Sequence, residues 1–254
     1  MEGDLISLWS NLTTWRERCP HLSISEDGET YQVSGDCHSS LSRPTAQALS
    51  KLLIDDGYTL IDDPICDEGL RMRISRGIST IDEKHHLPST FILLFDDCWH
   101  MAARSHHLLV NGGVIPKQMV FNFDVLAWSI DPKQNQCGFS PHRDRQPDTP
   151  SALRNSFFQD GHSKYSTHWI AVEDATPENS CLYVIPKSFD PGYLEGDDKA
   201  EDASDEVENA AQYLDPLSRA LDTKQSYQNI RALPRRACQS VLFTHRILHW
   251  YDEC

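Results

Sequence analysis

The sequence predicts a mainly β domain with a helical N-terminal layer, arranged as a sandwich or jelly roll. Helix-like spacing of apolar residues is concentrated before Gly113, and short apolar segments separated by turn residues follow it. The chain has 254 residues, of which 39% are hydrophobic and 24% charged, enough for one large core. We therefore assign residues 41–254 to a single domain and leave residues 1–40 as a poorly defined N-terminal segment.

The helical layer comes first along the chain. A short helix is predicted over Leu5 to Trp15, and a second runs from Pro44 towards Ile54, because proline suits the first helical turn. Gly57 stops that helix, and residues 58–61 read as a strand. A longer helix is predicted from Pro88 to about Leu109, and Asn111-Gly112-Gly113 ends it.

The β part follows. The predicted strands are Met119 to Ile130, Thr167 to Glu173, Cys181 to Ile185, Gln228 to Leu233 and Gln239 to His249. An acidic loop insert at residues 195–208 and a helix from Asn209 to Leu221 interrupt these strands. The insert has eight acidic residues against Lys199, a pattern typical of a solvated loop.

Composition excludes several classes of function. The net charge is −15 and no basic stripe is present, so nucleic acids and anionic membranes are not expected partners. The N-terminus lacks a secretory signal pattern and no apolar run is long enough to span a bilayer, which favours the cytosol. The eight cysteines contain no Cys-x-x-Cys pair, which argues against a zinc ribbon and favours free thiols.

A candidate metal site lies at His142-Arg143-Asp144. The turn Gly138-Phe139-Ser140-Pro141 precedes it, and residues two apart on an extended segment point to the same side, so His142 and Asp144 can reach one ion. His249 ends an apolar run near the end of the sequence and is either a core residue or a third ligand. His245 would share the side of His249 in one continuous strand, and is therefore a competing ligand or a hydrogen-bond donor to the site.

Other catalytic motifs are missing from the sequence. It contains no His-Glu-x-x-His, Gly-x-Ser-x-Gly, Walker or Gly-x-Gly-x-x-Gly pattern, so zincin, hydrolase, nucleoside triphosphatase and dinucleotide-binding functions have no support.

Three segments together resemble the phytanoyl-CoA dioxygenase family. They are Pro141-His142-Arg143-Asp144, the stretch from Trp169 to Ser188, and the stretch from Phe243 to Trp250. The resemblance covers roughly residues 115–250, and residues 57–63 resemble an early strand of the family. It implies a double-stranded β-helix, a cupin-like jelly roll, that binds Fe(II) and uses 2-oxoglutarate as cosubstrate.

The resemblance also implies roles for individual residues. His142, Asp144 and His249 would be the metal ligands and the catalytic centre, two histidines and a carboxylate on one face of the ion. Oxidative decarboxylation of 2-oxoglutarate would be coupled to hydroxylation of a small molecule by O2, and a carboxylate at position 144 favours hydroxylation over halogenation. Trp169 and Trp128 would line the cosubstrate pocket, or else serve as core aromatics.

The sequence departs from the family pattern in three places. Ser180 stands where the family has glycine, and Lys187-Ser188-Phe189 replaces Gly-Ser/Thr-His. The family also places an arginine about ten residues beyond the distal histidine, to bind the far carboxylate of 2-oxoglutarate, and the sequence ends at Cys254. We expect a truncated chain. The alternatives are a natural isoform without cosubstrate binding, or replacement of that arginine by Lys133 or Arg143.

Two rival functions remain open at this point. One is a non-catalytic protein that keeps the oxygenase fold but cannot bind 2-oxoglutarate. The other is a cupin-like metal protein that uses the three ligands without that cosubstrate.

Overall fold

The computed structural model describes residues 11–25, 41–136, 138–144, 154–195 and 216–251. A layer of helices covers one face of a three-stranded sheet, and a second three-stranded sheet packs on its other face. Among these residues, none of the helices has the length and apolar composition needed to cross a membrane.

Four longer helices precede most of the strands. The α-helices are α1 (Leu12–Arg18), α2 (Arg43–Asp56), α3 (Glu68–Ser79), α4 (Asp96–Gly112), α5 (Gly192–Glu195) and α6 (Pro216–Ala220). A π-helical turn (Thr80–Lys84) and a 3-10 helix (Ser89–Leu94) connect α3 to α4. Shorter 3-10 turns are Pro132–Gln134, Pro177–Asn179, Lys187–Phe189 and Ser226–Asn229.

The strands form two antiparallel sheets. They are β1 (Tyr58–Ile61), β2 (Ser166–Ile170), β3 (Leu182–Ile185), β4 (Arg231–Leu233), β5 (Ser240–Thr244) and β6 (Leu248–Tyr251). Sheet 1 has the order β1-β5-β2, and sheet 2 has the order β4-β3-β6. In sheet 1 Thr167 faces Phe243, and in sheet 2 Val184 faces His249.

Helix α2 follows the sequence prediction closely. The Ser42 side chain accepts a hydrogen bond from the amide of Thr45, and a proline lies in the first turn. Gly57, at φ +81°, ends the helix in the left-handed conformation that glycine adopts readily. The strand predicted at residues 58–61 is confirmed.

The predicted long helix from Pro88 is divided in two. Phe95 has an extended backbone (φ −104°, ψ 140°), so the segment before it is a 3-10 helix and α4 begins only at Asp96. Phe95 itself is fully buried, which explains why the chain turns there to insert the ring into the core. Gly113, at φ +81°, ends α4 as predicted.

Alternation along β5 separates two hydrophobic cores. Leu242 packs into the larger core with the helices, whereas Val241 and Phe243 pack into a second core between the sheets. On sheet 2, Leu182 and Val184 face that second core, and Ile185 joins an outer cluster with α6. Because side chains alternate between the two faces of each strand, the layers follow one another in the order helices, sheet 1, sheet 2 and α6.

The prediction of a mainly β chain is not confirmed, since helical residues outnumber strand residues in the described ranges. The strand predicted over Met119 to Ile130 is wrong. This segment is irregular, and Val120, Leu126 and Trp128 are more than half exposed. A high content of β-favouring residues does not supply a neighbouring strand to pair with.

The single strand predicted over Gln239 to His249 is also wrong. A turn at residues 245–247 divides it into β5, in sheet 1, and β6, in sheet 2. The strand predicted from Gln228 is shortened to β4, which a 3-10 turn precedes.

The N-terminal segment is partly described. Helix α1 inserts Trp15, which is 1% exposed, into the larger core, where its ring stacks on Phe91. The acidic insert at residues 195–208 lies outside the described residues from position 196 onwards, as do residues 209–215 of the predicted helix. The boundaries proposed for the domain stay a prediction.

Candidate metal centre

His142 and His249 form a backbone pair. The amide of His142 donates to the carbonyl of His249 at 3.0 Å, and the amide of His249 donates to the carbonyl of His142 at 3.0 Å. Such a doubly bonded antiparallel pair projects both side chains to the same side. The two imidazole centroids consequently lie 4.3 Å apart.

Asp144 completes the cluster from two residues further along the chain. Its Oδ1 lies 3.7 Å from Nε2 of His142 and 3.4 Å from Nε2 of His249. The other oxygen, Oδ2, accepts a hydrogen bond from Thr167 Oγ1 on β2. Because β2 belongs to sheet 1 and β6 to sheet 2, the three side chains lie between the sheets at one edge.

One nitrogen of each imidazole is held by the backbone. His142 Nδ1 lies 2.7 Å from the carbonyl oxygen of Ser140, and His249 Nδ1 lies 3.0 Å from that of Ile247. A carbonyl only accepts, so both rings carry their proton on Nδ1 and present the lone pair of Nε2 to the cluster. The ligand atoms of the three residues lie within 4.8 Å of one another, a spacing that one ion can bridge.

The electrostatics favour a neutral histidine beside an ionised carboxylate. Burial lowers the pKa of the His142 imidazole, and the neighbouring His249 lowers it further. Burial alone would raise the pKa of the Asp144 carboxyl, but the attraction of His249, when that ring is protonated on both nitrogens, and the hydrogen bond from Thr167 outweigh it, so this pKa falls below its usual range. A metal ion would replace the Nε2 proton of that ring. These are the protonation states in which imidazole and carboxylate bind metal.

Arg143, between the two candidate ligands, points the other way. Its guanidinium binds Asp190 with two hydrogen bonds, 2.5 and 2.8 Å long, and donates to the carbonyl of Arg246 at 2.6 Å. The side chains of Arg143 and Asp190 are 0% and 1% exposed. Side chains that alternate along the extended segment thus place residues 142 and 144 in the site and direct Arg143 to the opposite side, where it binds Asp190. The suggestion that Arg143 binds the cosubstrate is wrong, because its guanidinium is committed to this buried pair.

His245 lies outside the cluster, contrary to the expectation from one continuous strand. The turn at residues 245–247 redirects its ring, so that Nδ1 lies 2.6 Å from Ser163 Oγ and Nε2 lies 2.9 Å from Ser156 Oγ. It is buried beside the rings of Phe157 and Tyr165.

The two tryptophans occupy different environments. Trp169 on β2 packs against the core between the sheets, with its ring centroid 6.5 Å from that of Tyr251. Trp128 is 56% exposed, and its ring makes an edge contact with Phe139, which in turn lies 5.6 Å from the His142 ring.

A pocket of about 450 Å³ opens beside Trp128, and none of the three candidate ligands lines it. Lys133, the other suggested partner for the cosubstrate, lies exposed in the 3-10 turn Pro132–Gln134.

Three neighbours of the cluster were not identified from the sequence. Thr167 binds the carboxylate, the Phe243 ring lies 4.5 Å from that of His249, and Tyr251 flanks Phe139. Gly138 permits this arrangement, because a Cβ there would lie 2.2 Å from Cβ of Tyr251. The glycine before Phe139-Ser140-Pro141 was the available signal for such a close approach.

The comparison with protein families gives one match. The sequence model of the phytanoyl-CoA dioxygenase (PhyH) family matches residues 56–249. This range contains His142, Asp144 and His249, and it agrees with the resemblance noted from the motifs. No curated protein matches the sequence significantly.

Three solved structures are similar at low identity. The epimerase SnoN, in complex with Fe3+, alpha-ketoglutarate and nogalamycin RO, is 15% identical; the match covers 84% of this chain and 78% of SnoN, with a TM-score of 0.49. The carbocyclase SnoK from nogalamycin biosynthesis is 14% identical, over 84% and 81% of the two chains, with a TM-score of 0.45. AviO1 from Streptomyces viridochromogenes Tue57 is 14% identical, over 84% and 89%, with a TM-score of 0.44.

Proposed function

Because the chain belongs to the phytanoyl-CoA dioxygenase family, whose members use Fe(II) and 2-oxoglutarate, we propose that it hydroxylates a small molecule with O2 and 2-oxoglutarate. The family makes it an oxygenase-type enzyme. The choice of hydroxylation, the small-molecule substrate and the roles of individual residues are our proposal.

One observation carries the assignment of residues. Nε2 of His142, Nε2 of His249 and Oδ1 of Asp144 converge, while both Nδ1 atoms and Oδ2 of Asp144 have other partners. Two imidazoles and one carboxylate are the donor set with which non-haem Fe(II) oxygenases leave coordination positions free. These three residues would hold the iron.

The chain's own contribution is orientation and shielding. Iron with 2-oxoglutarate supplies the oxidising chemistry. The carbonyls of Ser140 and Ile247 fix the two rings, and Thr167 fixes the carboxylate, so the ligands are arranged before the metal arrives. The aromatic surroundings of His249, which include Phe243, exclude water from one side of the site.

Trp169 and Trp128 are the residues we propose for the cosubstrate pocket. Trp169 faces the space between the sheets near Tyr251, and Trp128 lies on the outer side of Phe139. Replacement of either by leucine is expected to raise the 2-oxoglutarate concentration needed for half-maximal binding, with iron affinity unchanged.

The test is an anaerobic titration with Fe(II) and then with 2-oxoglutarate, followed by the visible charge-transfer band of the chelate. We expect the unsubstituted protein to show the band and H142A to lose it. H107A, which replaces a histidine on α4 that is not a candidate ligand, serves as the control and should keep the band. Succinate release with candidate small molecules, with a product heavier by one oxygen atom, would then identify the substrate.

Three other outcomes contradict parts of the proposal. Iron binding without the band would indicate a non-catalytic member of the family that does not take 2-oxoglutarate. Oxygen consumption that requires iron but not 2-oxoglutarate would indicate a cupin-like metal protein. Equal iron affinity in H142A and the natural sequence would exclude the proposed ligands.

A further inference from the structure

A pair of cysteines far apart in sequence meets on the helix side of sheet 1. Sγ of Cys66, after β1, lies 3.4 Å from Sγ of Cys238, before β5, and 172 residues separate the two along the chain. Sδ of Met101 on α4 lies 3.8 Å from Sγ of Cys66. Both cysteines belong to the larger core, with 8% and 5% of their surfaces exposed.

The backbone holds Cys238 in place from both sides. Its amide donates to the carbonyl of Ala171 at 2.8 Å, and its carbonyl accepts from the amide of Ile65 at 3.0 Å. Its φ of +67° is a left-handed conformation that residues other than glycine, asparagine and aspartate adopt rarely. A strained residue in a rigid position suggests a use for its side chain.

The chemistry of the surroundings favours a neutral product. Burial, together with the hydrogen bond with Cys238, raises the pKa of the Cys66 thiol to about 12. Binding of a soft cation would require charged thiolates in an apolar core, which is costly. A disulfide carries no charge, and its bond length of about 2.05 Å lies only about 1.4 Å below the present separation.

We propose that Cys66 and Cys238 are a disulfide-forming pair, oxidised by a hydroperoxide. Two S–H bonds break and one Sγ–Sγ bond forms. The two electrons and two protons cleave the O–O bond of hydrogen peroxide and give two molecules of water. The bond would join the segment after β1 to the turn before β5, and so fasten the β1–β5 ladder outside its last pair, Ile61 with Ser240.

The test is peroxide treatment of the folded chain, followed by tryptic mapping without reduction. Tryptic peptides 52–71 and 237–246 contain Cys66 and Cys238 respectively, and neither contains another cysteine. We expect one linked species of these two peptides and a Tm higher by at least about 5 °C, reversed by a thiol reductant. Oxidation is expected to be slow at neutral pH and faster at higher pH, since only the thiolate attacks and the pKa of the Cys66 thiol is raised to about 12.

Two variants and a control make the result specific. C66A and C238G must both lose the linked species and the rise in Tm, and glycine at 238 suits the observed φ, so the fold is retained. C98A, which removes another buried cysteine, should keep both. Linkage to a different cysteine, oxidation of Cys66 to a sulfinic acid, or no linked species at peroxide concentrations that oxidise a dithiol peptide would overturn the proposal.

Discussion

The backbones of His142 and His249, which are 107 positions apart, exchange two hydrogen bonds of 3.0 Å and so place their rings 4.3 Å from each other. This one pair brings the middle of the chain to the edge strand of sheet 2. The position of the candidate metal site is thus determined by main-chain pairing, and the side chains only complete it.

The hydroxyl of Thr167 is expected to increase iron affinity without contacting the ion. In T167V, Oδ2 of Asp144 loses its donor, the carboxylate can rotate, and we expect the Kd for Fe(II) to rise about 10-fold. T167S keeps the hydroxyl and should bind iron as the natural sequence does. Anaerobic isothermal titration measures both values, and equal affinity in T167V and T167S would contradict the role.

Gly138 is expected to control the site through close packing. In G138A the new Cβ would lie 2.2 Å from Cβ of Tyr251 and 2.9 Å from its Cγ, so the segment leading to His142 must move away from β6. We expect a loss of about 1–3 kcal/mol in unfolding free energy, together with weaker iron binding. Urea unfolding measures the first quantity. In the control G112A, the Cβ would meet Leu41 only at ordinary contact distance, 3.4 Å, and both quantities should stay near their natural values.

Removal of one partner from the buried pair of Arg143 and Asp190 is expected to destabilise the fold strongly. R143M leaves the Asp190 carboxylate without its guanidinium, which costs about 3–5 kcal/mol for a fully buried pair. The double variant R143M/D190L removes both charges and should recover part of this loss. A double-mutant cycle by urea unfolding gives the coupling, and additive losses would show that the two side chains act independently.

His168 is expected to make the fold sensitive to acid. Burial lowers its pKa to about 3; Nε2 lies 2.8 Å from Ser240 Oγ, and the shielded Nδ1 has no hydrogen-bond partner among the described residues. Between pH 6.5 and 3 the unfolded chain binds a proton here that the folded chain does not. Stability therefore falls as the pH decreases through this window and is retained above it.

The pH dependence of stability that His168 causes can be separated from that of the other titratable groups. The contribution of His168 to the slope of unfolding free energy against pH is at most about 1.4 kcal/mol per pH unit. H168Q should remove it, while H107Q on α4 serves as the control. Urea unfolding at several pH values gives the slopes, and identical slopes for H168Q and the natural sequence would show that His168 is protonated in the folded state as well.

The sequence identified the candidate ligands better than the strands that hold them. Alternation of side chains in an extended segment was enough to group His142 with Asp144, since that rule depends only on local geometry. The position of His245 was mispredicted because a turn, which has no glycine or proline to mark it, divides the last apolar run. Hydrophobic content alone could not reveal which strand pairs with which.

The sequence also did not reveal which residues far apart along the chain contact each other. Thr167 follows Asp144 by 23 residues and lies on a strand of sheet 1, whereas Asp144 lies in no strand, so no local pattern joins them. The exposed segment around Phe123 and Leu126 has the composition of a strand, but it pairs with no strand in the described part of the chain. Pairing is a property of the whole fold, and it decides these cases.

The alternation in β6 has a consequence for errors of folding. His249 and Tyr251 face the site, whereas Leu248 and Trp250 join the outer cluster with Leu221 after α6. If β6 shifted by one residue in its pairing with β3, Trp250 would face the candidate ligands and the imidazole of His249 would be buried in the apolar outer cluster. Packing in the outer cluster thus favours the correct register of β6. A substitution that weakens this packing is expected to yield a folded protein that binds no iron.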